Sequence, residues 1–185
     1  MLALGAAVAT ILAVPGAQAQ TSQPQPSASK QTTGSAPTGK VSRSDQRFLT
    51  EAIQGDMAEV QVGKLAQQKS DNADVKQFGQ MLEQDHGQHL DQAKQVASQV
   101  GVTPPSEPSA EQKAVYDKLN KLSGTAFDKQ FAAAMVKDHK EDIAKFKKAA
   151  KEKNPVGEFA DKTVPTLEKH LQTAEALTSS KQSKR

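Results

Sequence analysis

The sequence predicts an all-α protein, a four-helix bundle with a long crossover that carries a short extra helix between helices two and three. Three observations predict it. Apolar residues recur at three- and four-residue spacing through four long stretches, with no strand-like alternation and no hairpin signal. Helix-starting and helix-stopping residues punctuate those stretches. The first and last connections are tight, and only the middle one is long.

Helix one runs from about Ser44 to Lys69. Ser44 is its expected cap, Asp45 lies in the first turn, and Phe48, Leu49, Ala52, Ile53, Val60, Leu65 and Ala66 mark its apolar stripe. Ser70-Asp71-Asn72 breaks the chain. Helix two then runs from about Asn72 to Val100, striped by Val75, Phe78, Leu82, Leu90, Ala93, Val96 and Ala97, and Gly101 stops it.

Residues 101–108 are turn-rich. Ser109 with Gln112 forms a capping-box pattern that opens the short helix, to about Leu122. Thr125 with Asp128 repeats the pattern and opens helix three, to about Lys153, with Phe127, Phe131, Met135, Ile143, Phe146 and Ala150 in its stripe. Asn154-Pro155 supplies a cap and a first-turn proline for helix four, which reaches about Leu177 with Pro165 inside it as an expected kink. Two hairpins joined by one long crossover is the connectivity of ferritin-like bundles.

Ahead of the bundle, residues 2–14 form a short apolar run, followed by Ala17-Gln18-Ala19, a cleavage-site pattern. The reading is a signal peptide over residues 1–19, a tether over 20–43 too poor in large apolar residues to order itself, the bundle over 44–178, and a tail over 179–185. This makes the protein exported, to the periplasm or in association with the outer membrane. There is no cysteine, which excludes disulfides, thiol chemistry and thiolate metal sites.

The net charge of +3 does not point to nucleic acid. Lys30, Lys40, Arg43, Lys181, Lys184 and Arg185 all lie outside residues 44–180. Without them, 18 Lys and Arg face 21 Asp and Glu, so the bundle itself carries −3. The basic ends are suited only to weak contact with a membrane or envelope polymer, and no protein partner can be named. No phosphate-binding glycine loop or nucleophile elbow is present, so no catalytic residue is assigned.

The residues that can carry chemistry are histidines inside apolar stripes. His86 lies between Leu82 and Leu90, His139 between Val136 and Ile143, and His170 between Leu167 and Ala174. Helix one contributes Glu59. His139 is 15 residues before Asn154 and His170 is 16 after it, which sets them within ~2 Å of one level at ~1.5 Å per residue. Glu59 and His86 are less well matched across the first turn, by ~6–8 Å on the same rise. Asp85-His86 and Asp138-His139 repeat one pattern, and Glu83-x-x-His86 has the carboxylate–imidazole spacing of bundle metal sites. Glu59, His86, His139 and His170 are therefore the candidate ligands of a Zn, Fe or Mn ion, with Glu83, Asp85 and Asp138 secondary. His89 is expected to be a partly exposed neighbour, and the charged run from Lys137 to Lys153, with Asp142 in it, a solvated face.

Taken together, Asp45-x-x-Phe48, Glu59-Val60, Gly63-x-Leu65-Ala66, Val75-x-x-Phe78, Asp85-His86, Phe127-Asp128, Met135-Val136-x-Asp138-His139 and Pro165-x-Leu167-x-x-His170-Leu171 resemble the domain of unknown function 4142 family. The resemblance implies an exported bacterial protein with a ferritin-like bundle and no assigned activity. A di-iron set needs a second Glu-x-x-His, but Leu167 stands three before His170. Two readings remain. One is a non-catalytic envelope or stress-associated module, which asks less of the sequence. The other is a periplasmic metal-binding bundle.

Overall fold

In the computed structural model, which describes residues 41–179, five helices follow one another: α1 (Arg43–Lys69), α2 (Ala73–Gln99), α3 (Ala110–Asn120), α4 (Gly124–Ala149) and α5 (Pro155–Ser179). No strand occurs among the described residues. The expected signal peptide, nearly all of the tether, and the tail beyond Ser179 lie outside the described residues. The described residues fall within one compact unit, Pro37–Arg185. No described helix is long and apolar enough to cross a membrane.

Local chemistry sets the helix ends. Ser42, not Ser44, caps α1, its side chain accepting from the Asp45 N–H, so the helix begins inside the segment expected to be tether. Asn72 caps α2 through the Asp74 N–H. Gly101, at φ 76°, ends it, with the Val102 N–H bonded to the Ala97 carbonyl, a Schellman closure that a side chain at residue 101 would strain. The Ser109–Gln112 capping box of α3 forms in both directions. The Thr125–Asp128 box does not form: α4 starts at Gly124 behind Ser123, so Thr125 lies inside the first turn, and Asp128 accepts from Ser70 Oγ, tying the α1–α2 turn to α4. α4 stops at Ala149, short of Lys153. Asn154 Oδ1 accepts from the Val156 and Gly157 N–H groups to start α5, which continues through Pro165.

Packing runs α1–α2, α2–α5, α5–α4 and α4–α1, while α3 lies against α1 and α4. The crossover thus links the two hairpins and lays its short helix over the α1–α4 seam. α1 and α2 approach closely where Gly63 meets Gly79. A Cβ on either would come within 2.6 Å of the other's carbonyl oxygen.

The core is divided. One apolar cluster includes Leu65, Val75, Phe78, Leu82, Phe127, Phe131, Met135 and Leu177. The other includes Leu49, Ile53, Ala93, Phe146, Val156, Phe159 and Leu167. Along every long helix the change from one cluster to the other falls at the same polar layer. Asp56 and Glu59 interrupt α1, His86 and His89 α2, Asp138 and His139 α4, and His170 α5.

Candidate metal centre

The four long helices each deliver side chains to this middle layer. Asp56, Glu59, His86, His89, His139 and His170 are all buried there. The imidazole rings of His86, His139 and His170 form a triangle with centroid separations of 5.2, 5.3 and 5.7 Å. One ligand atom from each of the three lies within 4.8 Å of the others.

Each ring is held from behind. His139 Nδ1 is 2.9 Å from the Met135 carbonyl, which can only accept, so Nδ1 carries a hydrogen. His170 Nε2 donates to Asp85 Oδ2 at 2.9 Å. His86 Nδ1 lies 2.8 Å from Asp56 Oδ1. The remaining nitrogens are His139 Nε2, His170 Nδ1 and His86 Nε2. The first two stand 3.3 Å apart, and the third is buried with no hydrogen-bond partner. With both rings neutral, His139 and His170 therefore turn lone pairs toward each other.

Burial keeps the rings neutral. It pulls His139 down to about 3, with His86 and His170 adding to the shift. Burial, then His170 and His89, holds His86 well below the usual imidazole range. Burial also lowers His170, against the opposing pull of the Asp85 hydrogen bond. Neutral imidazole is the metal-ligating form.

A carboxylate group adjoins the triangle. Glu59, Asp138 and His139 also offer ligand atoms within 4.8 Å of one another. Burial raises Glu59 well above the carboxylate range, with Asp138, Asp142 and Asp56 adding to it. Burial likewise pushes Asp56 up to about 8, opposed by His89, and Asp142 to about 7, assisted by Asp138. Asp56 Oδ2, Glu59 Oε2 and His89 Nδ1 are buried without a partner, as His86 Nε2 is. An unsatisfied buried polar atom costs ~1–3 kcal/mol, so four in one layer mark a place where stability yields to something else.

The structure thus brings together His86, His139 and His170, and places Glu59 and Asp138 beside them. Asp85 supports His170 from behind. Glu83 lies apart: it accepts from Gln67 Nε2 at 2.8 Å and stands 3.8 Å from Lys64 Nζ. His89, expected to be partly exposed, is buried against Asp56 and His86. Asp142, expected on a solvated face, is half-buried and close enough to Asp138 and Glu59 that Asp138 raises it and it raises Glu59.

Asp56 escaped the sequence reading, although a signal existed. It lies 15 residues before Asp71, at the middle of the first turn, and His86 lies 15 after. Those positions are level in an antiparallel hairpin, whereas Glu59 and His86 are not.

A family model described as a domain of unknown function, DUF4142, matches residues 30–177. The chain belongs to the DUF4142 family. Every residue of the polar layer lies inside the matched span. A structure titled "Crystal structure of DUF305 fragment from Deinococcus radiodurans" is similar to this DUF4142 protein with a TM-score of 0.68 at 16% identity, covering 76% of this chain and 98% of that one. At that identity the likeness shows a shared helical fold and nothing of function. No curated protein matches the DUF4142 chain.

Proposed function

We propose that this DUF4142 protein is an exported, ferritin-like bundle that binds one divalent transition-metal ion through His86 Nε2, His139 Nε2 and His170 Nδ1. The observation that carries the reading is the 3.3 Å approach of His139 Nε2 to His170 Nδ1, with the opposite nitrogen of each ring already committed to an acceptor. Two lone pairs at that distance repel unless a cation lies between them. The depressed basicity of both rings disfavours a proton there. Two nitrogens on one zinc ion at ~2.0–2.1 Å and a tetrahedral angle stand about 3.3–3.4 Å apart, which matches.

The outer acceptors strengthen this reading. A carbonyl or carboxylate behind each ligating imidazole is the arrangement that orients rings and raises their basicity toward a metal. Three imidazoles favour Zn or Fe over Mn, which prefers oxygen donors. A Glu-x-x-His di-iron set is not assembled, because Glu83 points away to Gln67 and Leu167 is apolar. The proposal is binding, storage or buffering of the ion in the envelope. Export is supported by the signal-peptide anatomy of residues 1–19.

The test is titration of metal-free protein with Zn²⁺, Fe²⁺ and Mn²⁺ by calorimetry. One equivalent of Zn²⁺ or Fe²⁺ should bind, and both His139→Ala and His170→Ala should abolish it. Absence of uptake of every ion by the wild-type protein would return the function to a metal-independent envelope module.

A further inference from the structure

His139 belongs to two ligand groups at once, and this has a kinetic meaning. It lies within 4.8 Å of His86 and His170 on one side, and of Glu59 and Asp138 on the other. Its Nδ1 is occupied by the Met135 carbonyl, so a single atom, Nε2, must serve both groups. One lone pair cannot bind two ions. The groups are therefore alternative positions for one ion, sharing one ligand.

They differ in access. A cavity of about 90 Å³ between α1, α3 and α4 is lined by Ala58, Glu59, Gln112, Val115, Lys137 and Asp138, among others. Its rim includes Val115, 40% exposed, and Lys137, whose side chain is 71% exposed. Its floor is Glu59, 3% exposed, with Oε2 unpartnered. His86, His139 and His170 do not line it. An ion coming from solvent by this route meets carboxylate oxygen before imidazole nitrogen.

We infer that Glu59 and Asp138 form an outer carboxylate station through which a divalent cation passes to and from the three histidines, with His139 held as its ligand throughout. The inference rests on the three-histidine reading of the site. Two carboxylates offset the charge of a dication as it sheds water. The ion then keeps His139 Nε2 and exchanges carboxylate oxygens for His86 and His170 nitrogens. Retaining one ligand avoids a bare ion in a buried layer, where an uncompensated charge is strongly disfavoured.

A station on the path has a kinetic signature different from that of a final ligand. Losing a final ligand speeds release. Losing a station slows both uptake and release and leaves affinity unchanged. The experiment is stopped-flow Co²⁺ uptake by metal-free protein, followed by chelator-driven release, for wild type, Glu59→Gln and Val115→Trp. Glu59→Gln keeps the side chain's size but cannot give up a proton to become the carboxylate that receives the ion. Val115→Trp narrows the mouth from an exposed position and decides the matter if Glu59→Gln does not fold.

Both variants should slow uptake and release by the same factor, about tenfold or more, the change that ~1.4 kcal/mol added to the barrier produces. Faster release from Glu59→Gln with unaltered uptake makes Glu59 an ordinary ligand and overturns the route. Unchanged rates in both variants, or two Co²⁺ bound at saturation, also overturn it while leaving the three-histidine site standing. No Co²⁺ uptake by the wild type removes both.

Discussion

Asp56 and His86 meet at 2.8 Å across the first hairpin, and the contact leaves one buried atom of each without a partner: Asp56 Oδ2 and His86 Nε2. The carboxylate sits behind the ring, so it sets the direction of the nitrogen that faces His139 and His170. Asp56→Ala should leave the helical content intact and weaken Zn²⁺ binding by roughly 10–100-fold, the usual cost of losing an outer partner of a ligating histidine. Competition with a chromophoric chelator measures this directly, and unchanged affinity would remove Asp56 from the site.

His139→Ala and His170→Ala should separate binding from folding. An ion at 100 times its dissociation constant adds ~2.7 kcal/mol to the folded state, equivalent to roughly 5–11 °C in Tm for a chain of this size. Wild-type protein should show that rise on adding Zn²⁺, and neither variant should. A rise that persists in both would place the ion elsewhere.

Glu83→Gln should leave Zn²⁺ affinity within about twofold of wild type, because a change outside the site's interactions is expected to be nearly neutral. Its carboxylate is engaged by Gln67 and Lys64, not by the triangle. A large loss of affinity would show that Glu83 swings inward on binding.

The metal-free protein should lose stability as pH rises from 6.5 to about 8. Asp56 at about 8 and Asp142 at about 7 hold protons in the fold that the unfolded chain, at its ordinary 3.8, has already released. Stability gained from those protons is lost as pH rises through the folded values. His139, down at about 3 from 6.5, acts oppositely, but only between those two values: there the unfolded chain takes up a proton that the fold refuses. Above 6.5 the carboxyl groups alone govern the slope. Zn²⁺ should reverse it, because ligands bind more readily once protons leave. Denaturant midpoints at pH 6.5, 7.2 and 8.0, with and without Zn²⁺, test both signs.

Gly79→Ala should destabilise the fold by ~1–3 kcal/mol, although alanine is the better helix former by about 1 kcal/mol. The new Cβ would lie 2.6 Å from the Gly63 carbonyl oxygen and 2.8 Å from Ala66 Cβ. Neither neighbour is a flexible side-chain end, so the two helices must separate. A higher Tm would mean that the seam can open at no cost.

Much of this was legible in the residues. Asn154-Pro155, the Ser109–Gln112 box and Gly101 set the ends of elements through local chemistry, and local chemistry can be read from a sequence. The level of His139 and His170 followed from counting along a tight hairpin. What failed depended on neighbours distant in the chain. Asp128 reads as part of a cap until Ser70, 58 residues away, takes its oxygen. Glu83 reads as a partner for His86 until Gln67 on α1 draws it aside. Asp142 sits among lysines and reads as solvated, yet it lies half-buried where α4 faces Gly55 of α1. Asp56 shows nothing in its own neighbours; only counting across the turn at Asp71 sets it level with His86.

The polar layer between the two apolar clusters also fixes alignment. Greasy helices can slide past one another by a turn with little change in what they touch. Here a slip of one turn, ~5.4 Å, would set carboxylates against Met135 or Ile143 and leave imidazoles facing hydrocarbon. The layer therefore acts as a vernier for the bundle: the groups that make its centre costly are the ones that permit only one setting of four helices.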